Sequence, residues 1–352
     1  MQIPTDDLRI LDVRPISSPM QLIREAQPTQ QALQTVIDVR NAFKRILDGE
    51  DDRLAVVVGP CSIHDTKAAM DYARRLAEAR AKHAGELELI MRVYFEKPRT
   101  TTGWKGLIND PELNGTFEIE EGLRIARKLL LDINDIGVPT GCEYLDMITP
   151  QYIADLVGWG AIGARTTESQ AHRQLASGLS CAVGFKNGTK GDVQIAVDAV
   201  LASAAPHHFM TVTKWGVVAV ANTAGNRDCH IILRGGADAT NYDAASVQAA
   251  CALLAKAGLP ERLMVDASHA NSRKNPENQK LVMTDIAAQI AGGERRVIGV
   301  MVESNLVAGR QDIVPGKDLT YGQSVTDGCI DWQSTEKVLD ELASAIKARR
   351  AR

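Results

Sequence analysis

The 352 residues are 45% hydrophobic and 24% charged, which is typical of a globular protein and excludes a disordered or fibrous chain. The net charge of -4 argues against nucleic acid as a partner, because proteins that bind it usually carry a basic face. No apolar run approaches the roughly 18 residues that cross a bilayer, so we expect no membrane partner. The N-terminal residues lack a secretory signal and the six cysteines are scattered, which favours reduced thiols in a cytoplasmic protein.

Residues 1–50 differ from the rest and are predicted to form an N-terminal extension. Residues 1–30 contain four prolines and are interpreted as irregular. Residues 29–47 show helical spacing of apolar side chains, with Thr29 in position to be the N-cap. The extension is either a loose tail with a packing helix or an arm used in oligomerisation and regulation.

From residue 54 onward, apolar strand patterns alternate with helical patterns. Strands are predicted at 54–58, 87–94, 138–145, 161–165, 182–186, 207–213, 230–235, 262–268 and 297–304. Helices are predicted at 66–82, 118–134, 150–159, 191–204, 244–256 and 281–291. Such alternation indicates a parallel sheet joined by right-handed crossovers.

The run at 207–213 departs from this alternation, because a second short run at 217–222 follows with no room for a helix. The pair is interpreted as a β-hairpin inserted near 207–222. Eight parallel strands then remain. We therefore predict an α/β fold, a (β/α)8 TIM barrel over residues 51–352, rather than a doubly wound open sheet. No G-x-G-x-x-G follows the first strand, which disfavours a dinucleotide-binding protein.

Active sites of such barrels lie at the carboxyl ends of the strands, and here many of these ends carry a cation. The strand-end cations are Arg92, Arg165, Lys186 and Arg234. The loop after the second strand adds Lys97, Arg99, Thr100 and Lys105. Arginine and lysine side chains bind carboxylates and phosphates, so the set predicts one or two anionic small substrates. The alternative is that single members pair with Glu143, Asp146 or Glu168.

A second group of side chains is able to ligate a metal. It comprises Cys61, His269, Glu303 and Asp327. Thiolate, imidazole and carboxylates form a mixed site for Mn, Fe, Co or Zn. The alternatives are a buried inert thiol, a hydrogen-bonding histidine, and His64 as a competing ligand or base. Metal and cations together indicate aldol-like chemistry or isomerisation of a sugar phosphate.

Eight segments resemble the type I microbial 3-deoxy-D-arabino-heptulosonate 7-phosphate synthases. They are GPCSIHD (59–65), MRVYFEKPRTTTGWKGLINDP (91–111), EYLDMITPQY (143–152), WGAIGARTTESQ (159–170), GFKNGT (184–189), GNRDCHIILRGG (225–236), DASHANS (266–272) and VMVESNL (300–306). The resemblance implies a transferase that condenses phosphoenolpyruvate with erythrose 4-phosphate at the start of the shikimate pathway. It also implies one divalent metal ion on Cys61, His269, Glu303 and Asp327.

The same resemblance implies the substrate residues. Arg92, Arg165, Lys186 and Arg234 would surround phosphoenolpyruvate. Lys97 would lie between the two substrates, while Arg99 and Thr100 would hold the phosphate of erythrose 4-phosphate. The catalytic residues implied are Lys97, Cys61 and His269.

Relatives of this length are homodimers or homotetramers that an aromatic amino acid inhibits. The implied effector residues are Asp7, which a neighbouring subunit would supply, and Met147, Pro150, Gln151, Leu179, Ser180, Phe209 and Thr211. Phe-sensitive relatives tend to have Ser at the position of Thr211, and Tyr-sensitive ones Gly. Because a side chain there would crowd a para-hydroxyl group, we expect phenylalanine as the effector, with tyrosine next.

Two other functions stay open. One is the related 3-deoxy-octulosonate 8-phosphate synthase, whose chains are shorter and lack the extension. The other is a non-catalytic amino-acid sensor that keeps the barrel. All four implied metal ligands are present, which disfavours the sensor.

Overall fold

The computed structural model describes residues 5–99, 103–237, 239–314 and 316–352. Twelve strands occur in this part of the chain: β1 (Leu54–Gly59), β2 (Leu87–Arg92), β3 (Thr140–Glu143), β4 (Trp159–Ile162), β5 (Ala182–Lys186), β6 (His208–Val212), β7 (Val218–Asn222), β8 (Cys229–Leu233), β9 (Leu263–Asp266), β10 (Val297–Glu303), β11 (Val307–Arg310) and β12 (Gln323–Ser324). Eight of them form a closed parallel barrel in the order β1-β2-β3-β4-β5-β8-β9-β10, with β10 paired to β1. The predicted TIM barrel with an inserted hairpin is confirmed.

Helices cover the outside of the barrel. They are α1 (Pro19–Glu25), α2 (Gln30–Asp48), α3 (Thr66–Lys82), α4 (Ile119–Asp135), α5 (Pro150–Ile153), α6 (Gln170–Gly178), α7 (Gln194–Ala204), α8 (Ala244–Lys256), α9 (Asn278–Ala291) and α10 (Trp332–Arg350). The prediction of an irregular start is wrong at α1. The predicted helix at 150–159 is too long, because a 3-10 turn follows α5 and Trp159 begins β4. Among the described residues, no helix is both long and apolar enough to cross a membrane.

Local chemistry sets the ends of α2. The Thr29 hydroxyl accepts a hydrogen bond from the backbone nitrogen of Ala32 at 3.0 Å, as an N-cap does. The helix ends at Gly49, whose φ of 78° lies in the left-handed region that glycine adopts without strain. The predicted N-cap at Thr29 is confirmed.

The apolar face of α2 closes the amino-terminal end of the barrel. Phe43 is fully buried there, and its ring lies 5.2 Å from the ring of His230 and 6.4 Å from that of Trp159. The barrel strands are buried throughout, as expected of parallel strands that are covered on both faces. We call this lower layer of Phe43, Trp159 and His230 the floor of the barrel.

The hairpin of β6 and β7 lies outside the barrel. Its exposure alternates, so Phe209 and Thr211 are half-buried while Met210 is exposed. The backbone nitrogen of Met20 donates to the oxygen of Lys214 in the hairpin turn at 2.7 Å. The hairpin is thereby joined to α1 of the N-terminal segment.

Candidate active site at the carboxyl ends of the strands

The turn after β1 carries Cys61 into the barrel mouth. A side chain on Gly59 would lie 2.7 Å from the backbone oxygen of Arg92, so this close approach requires glycine. The Sγ atom of Cys61 lies 3.5 Å from Oδ2 of Asp327 and 3.2 Å from Nζ of Lys97. The turn therefore places a buried thiol between an acid and a cation.

Three of the four predicted metal ligands come together. Cys61, Glu303 and Asp327 each offer a ligand atom, and these atoms lie within 4.8 Å of one another. A thiol with two carboxylates suits a borderline divalent metal, so the donor set fits the expected ion. His269 lies outside this group of atoms, and its Nδ1 is 3.0 Å from Oδ2 of Asp266.

The thiol and the ammonium of the mouth shift each other's pKa. Burial raises the pKa of Cys61 to about 11, Glu303 adds to this rise, and Lys97 opposes it. Burial alone would lower the pKa of Lys97, but the negative charges of Cys61 and Glu303 raise it above its ordinary value. Lys97 is therefore an ammonium at neutral pH, and a bound cation would favour the Cys61 thiolate.

Arg92 lies deeper than the other predicted cations. It is fully buried and donates to the backbone oxygens of Pro60 at 3.1 Å and Cys61 at 3.2 Å. It also donates to Oε1 of Glu303 at 3.0 Å, and its Cζ lies 3.6 Å from the centre of the Tyr94 ring. In this conformation Arg92 supports the Cys61 turn and the Glu303 carboxylate rather than lining the cavity.

A cavity of about 140 Å³ lies beside the metal-ligand group. The predicted substrate residues that line it are Lys97, Arg99, Arg165, Lys186 and Arg234. Glu143, His269 and Asp327 complete its charged wall. Thr100 lies outside the described residues. Because adjacent cations repel one another, the cavity is suited to an anion.

The cavity opens into a wider cleft of about 760 Å³, and Arg165 and Arg234 line both spaces. Arg273 and Lys274 add positive charge at the rim of the cleft. The prediction that β4 ends at Arg165 is wrong, because β4 ends at Ile162 and Arg165 lies in the turn that follows. The inner space alone is small compared with the roughly 300–1,000 Å³ of most ligand pockets, so a ligand of ordinary size would also occupy part of the cleft.

A groove of about 700 Å³, similar in volume to the cleft, runs between α3 and α4 and offers a comparison with the barrel mouth. Two of its cations pair with acids that also line it, Arg74 with Asp71 and Lys128 with Asp132. It lies on the outside of the barrel, away from the strand ends. The excess of cations therefore distinguishes the mouth from this groove.

The sequence placed Asp266 at a strand end without assigning it a role. In the structure it is fully buried, and its Oδ2 accepts a hydrogen bond from Nζ of Lys186 at 2.8 Å. The available sequence signal was a carboxylate at the last position of a barrel strand, next to Ser268 and His269. The sequence analysis also gave no role to Glu96, which is buried and whose Oε1 accepts a hydrogen bond from the Thr149 hydroxyl at 3.3 Å.

The predicted effector residues lie in four segments. Met147, Pro150 and Gln151 lie in or beside α5, Leu179 and Ser180 follow α6, Phe209 and Thr211 are on β6, and Asp7 is exposed before α1. Lys214 of the hairpin turn donates to the backbone oxygen of Gln151. Asn226, beyond β7, donates to the oxygen of Leu179 at 3.4 Å. The Lys214 bond brings the hairpin to the α5 segment, while no hydrogen bond among the described residues brings Asp7 there.

Known proteins are similar to this chain over nearly its whole length. Residues 27–340 match the model of the DAHP synthetase I family. A Phe-sensitive phospho-2-dehydro-3-deoxyheptonate aldolase of Escherichia coli (strain K12) is 58% identical over 350 residues, 99% of this chain and 100% of the relative. A Trp-sensitive phospho-2-dehydro-3-deoxyheptonate aldolase of Escherichia coli O157:H7 is 51% identical over 345 residues, which are 98% of this chain and 99% of the relative. The structure of the phospho-2-dehydro-3-deoxyheptonate aldolase of Francisella tularensis SCHU S4 matches with a TM-score of 0.95 and 51% identity, over 97% of this chain and 99% of that one.

Proposed function

The chain belongs to the DAHP synthetase I family, and we propose that its barrel mouth condenses phosphoenolpyruvate with D-erythrose 4-phosphate and water. The products are 3-deoxy-D-arabino-heptulosonate 7-phosphate and inorganic phosphate, in the first step of the shikimate pathway. A carbon–carbon bond forms between C3 of phosphoenolpyruvate and the aldehyde carbon. Water adds at C2, and the C–O bond to phosphate breaks there.

One observation carries this proposal: five cations line a single cavity beside three metal-binding side chains. The cations are Lys97, Arg99, Arg165, Lys186 and Arg234. Both substrates are anions that repel each other in water. Cations fixed in one cavity hold the two together in reacting geometry, which is positioning catalysis. We assign Arg165, Lys186 and Arg234 to phosphoenolpyruvate, and Arg99 with Thr100 to the phosphate of erythrose 4-phosphate.

We assign Cys61, His269, Glu303 and Asp327 to one divalent ion, either Mn, Fe, Co or Zn. When bound, such an ion polarises a carbonyl oxygen and stabilises the negative charge that develops on it. The protein's contribution is to hold the donors in place. Arg92 orients Glu303 through the 3.0 Å contact and closes the Cys61 turn.

Lys97 is the cation between the two substrates in this proposal, and it and a metal-bound water are the two candidates for proton transfer. Its ammonium lies 3.2 Å from the Cys61 sulfur, and the negative charges around it raise its pKa. An ammonium that stays protonated is suited to donate a hydrogen bond to the aldehyde oxygen and to stabilise the negative charge that develops there as the new carbon–carbon bond forms. The water that adds at C2 loses a proton, so the reaction consumes no net proton.

Residues 1–50 and the hairpin are proposed to be regulatory and oligomerisation parts attached to the catalytic barrel of residues 51–352. Both expose large apolar side chains: Leu11, Val13, Met210, Val218 and Val220. Such a patch is typical of a surface that another subunit covers, and we propose a cytoplasmic homodimer or homotetramer. The effector is phenylalanine, since the Phe-sensitive relative is 58% identical and the Trp-sensitive one 51%.

The test is a product assay after removal of bound metal with a chelator. Activity with erythrose 4-phosphate is expected to disappear and to return when Mn²⁺, Fe²⁺, Co²⁺ or Zn²⁺ is added back. Each aromatic amino acid is then added, and phenylalanine is expected to inhibit most. Turnover of arabinose 5-phosphate instead would favour the octulosonate synthase, and no turnover with either aldose would favour the amino-acid sensor.

A further inference from the structure

Asp266, the last residue of β9, contacts two of the proposed functional residues through one oxygen atom. Its Oδ2 accepts from Nζ of Lys186 at 2.8 Å and lies 3.0 Å from Nδ1 of His269. Lys186 ends β5, and β8 separates that strand from β9 in the barrel. The carboxylate therefore joins a cation of the substrate cavity to a proposed metal ligand.

The second oxygen of Asp266 determines which nitrogen of His269 carries the proton. Oδ1 accepts from the backbone nitrogen of Ser268 at 2.9 Å and from its hydroxyl at 2.7 Å. That hydroxyl has a single proton, so it offers only lone pairs to Nδ1 of His269, which lies 2.6 Å away. Both neighbours of Nδ1 are thus acceptors. In the neutral ring the proton belongs on Nδ1, and Nε2 keeps its lone pair.

The backbone of His269 is held as firmly as its ring. Its φ of 58° lies in the left-handed region, which few residues other than glycine adopt. Its backbone oxygen accepts from the nitrogen of Lys274 at 2.8 Å and from the hydroxyl of Ser272 at 3.1 Å. Such conformations persist where the surroundings enforce them, and they cluster at functional sites.

Lys186 and Ser268 hold the buried Asp266 carboxylate in place. A buried charge without a partner is strongly unfavourable. Here each oxygen of the carboxylate has two polar contacts, Oδ1 with the nitrogen and hydroxyl of Ser268 and Oδ2 with Lys186 and His269. Oδ2 of Asp266 is therefore fixed in position opposite Nδ1 of His269.

Building on the proposed function, we propose that Asp266 is a positioning residue: it fixes the tautomer and orientation of His269 so that Nε2 is available to the metal ion. Histidines that ligate metals commonly donate their other N–H to a carboxylate. Loss of such a partner costs about 10- to 100-fold in metal affinity or activity. Asp266 touches neither metal nor substrate in this scheme and acts on the metal site through His269.

The first test compares the Mn²⁺ affinity of Asp266→Asn with that of Asp155→Asn. Asp155 also pairs with a fully buried cation, Arg127, at 2.8 Å, but it lies just before β4, at the opposite end of the barrel. Calorimetry on folded protein is expected to show about 10- to 100-fold weaker Mn²⁺ binding in Asp266→Asn. The control is expected to lose thermal stability and keep its affinity. Unchanged Mn²⁺ affinity in folded Asp266→Asn overturns the proposal.

The second test reads the tautomer directly and does not depend on whether Asp266→Asn folds. Two-bond ¹H–¹⁵N spectra of metal-free, ¹⁵N-histidine-labelled wild-type protein are recorded where the imidazole is neutral, with His269→Gln for assignment. The expected state of His269 has its proton on Nδ1. A proton on Nε2 overturns the proposal.

The two tests also separate this inference from the proposed function. If wild-type protein binds no divalent ion, the proposed metal chemistry fails, and the tautomer of His269 still decides the role of Asp266. If it binds the ion and Asp266→Asn binds it equally well, only the positioning role fails.

Discussion

The mouth of the barrel pairs two buried cations with buried carboxylates, although Nε of Arg234 there has no hydrogen-bond partner among the described residues. Arg92 and Glu303 are both buried and lie 3.0 Å apart, and Lys186 lies 2.8 Å from Asp266. Removing water from one charge is strongly unfavourable, and a close partner with further hydrogen bonds offsets that cost. These two pairs therefore hold charged side chains at fixed positions in the mouth.

The floor, by contrast, buries polar atoms without partners. Neither ring nitrogen of His230 nor Nε1 of Trp159 has a hydrogen-bond partner among the described residues. These rings pack on Phe43 and contribute through apolar contact. The contrast indicates that substitutions in the mouth change catalysis, whereas substitutions in the floor change stability.

The largest effect on activity is expected in the mouth, for Cys61→Ala. It removes a proposed metal ligand, and a loss of several kcal/mol of charge stabilisation corresponds to about a 10³-fold lower rate. The melting temperature should stay close to that of wild type. Steady-state rates and bound metal measure the change. Cys251→Ala is the matched control, since that buried thiol lies on α8, and equal rates in the two variants would contradict the assignment.

The largest effect on stability is expected in the floor, for Phe43→Ala. Removal of a fully buried phenyl ring costs about 3–5 kcal/mol in the free energy of unfolding. Below its melting temperature the variant should keep kcat and KM. Urea unfolding and rate assays measure the two properties. Leu33→Ala, an exposed site on the same helix, is the control and should change stability by less than about 0.5 kcal/mol.

Glu96 should make the mouth less stable as the pH rises. Burial, and then the charge of Asp146, raise the pKa of this carboxyl from 4.5 to about 8. Between pH 4.5 and 8 the folded state keeps this proton while the unfolded chain loses it, so stability falls as the pH rises over that range. Glu96→Gln should flatten this slope and gain on the order of a few kcal/mol at pH 8. Denaturant unfolding at a series of pH values measures it, and an unchanged slope would refute the shift.

His230 should make the floor less stable as the pH falls. Burial lowers its pKa from 6.5 to about 3. The unfolded chain binds a proton between these values while the folded state does not, so stability falls as the pH drops from 6.5 to 3. His230→Leu should weaken this decline and leave activity at neutral pH unchanged. The same unfolding series tests it; a decline as steep as in wild type would contradict the prediction.

The smallest effect on stability and activity is expected for Tyr94→Phe, at a residue between the mouth and the floor. The Tyr94 hydroxyl is buried without a hydrogen-bond partner among the described residues, so its loss should change stability by less than about 1 kcal/mol. The ring stays 3.6 Å from Arg92 in this variant. Tyr94→Leu, which removes the cation–π contact, should raise KM or lower kcat more than Tyr94→Phe does. Equal kinetics in the two variants would show that the ring does not position Arg92.

Much of the barrel was predictable because its signals are local. The bounds predicted for α3 and α8 agree with the structure, and Thr29 caps α2 as expected. The error at β4 has a physical cause: Trp159 and Gly160 resemble a helix end in sequence but pair with β3 in the sheet. The convergence of the cations followed from their positions at strand ends, while their roles toward each substrate stay predictions.

The sequence alone determined the alternation of strands and helices, the hairpin and the residue types at the mouth, because neighbours along the chain set periodicity, caps and turns. Tertiary structure alone decided which charges meet. Arg92 and Glu303 are far apart in the chain, as are Lys186 and Asp266, and their distances depend on how the strands close into a barrel. For that reason Arg92 supports a carboxylate in this structure, and Asp266 acquires a role that its place in the sequence did not reveal.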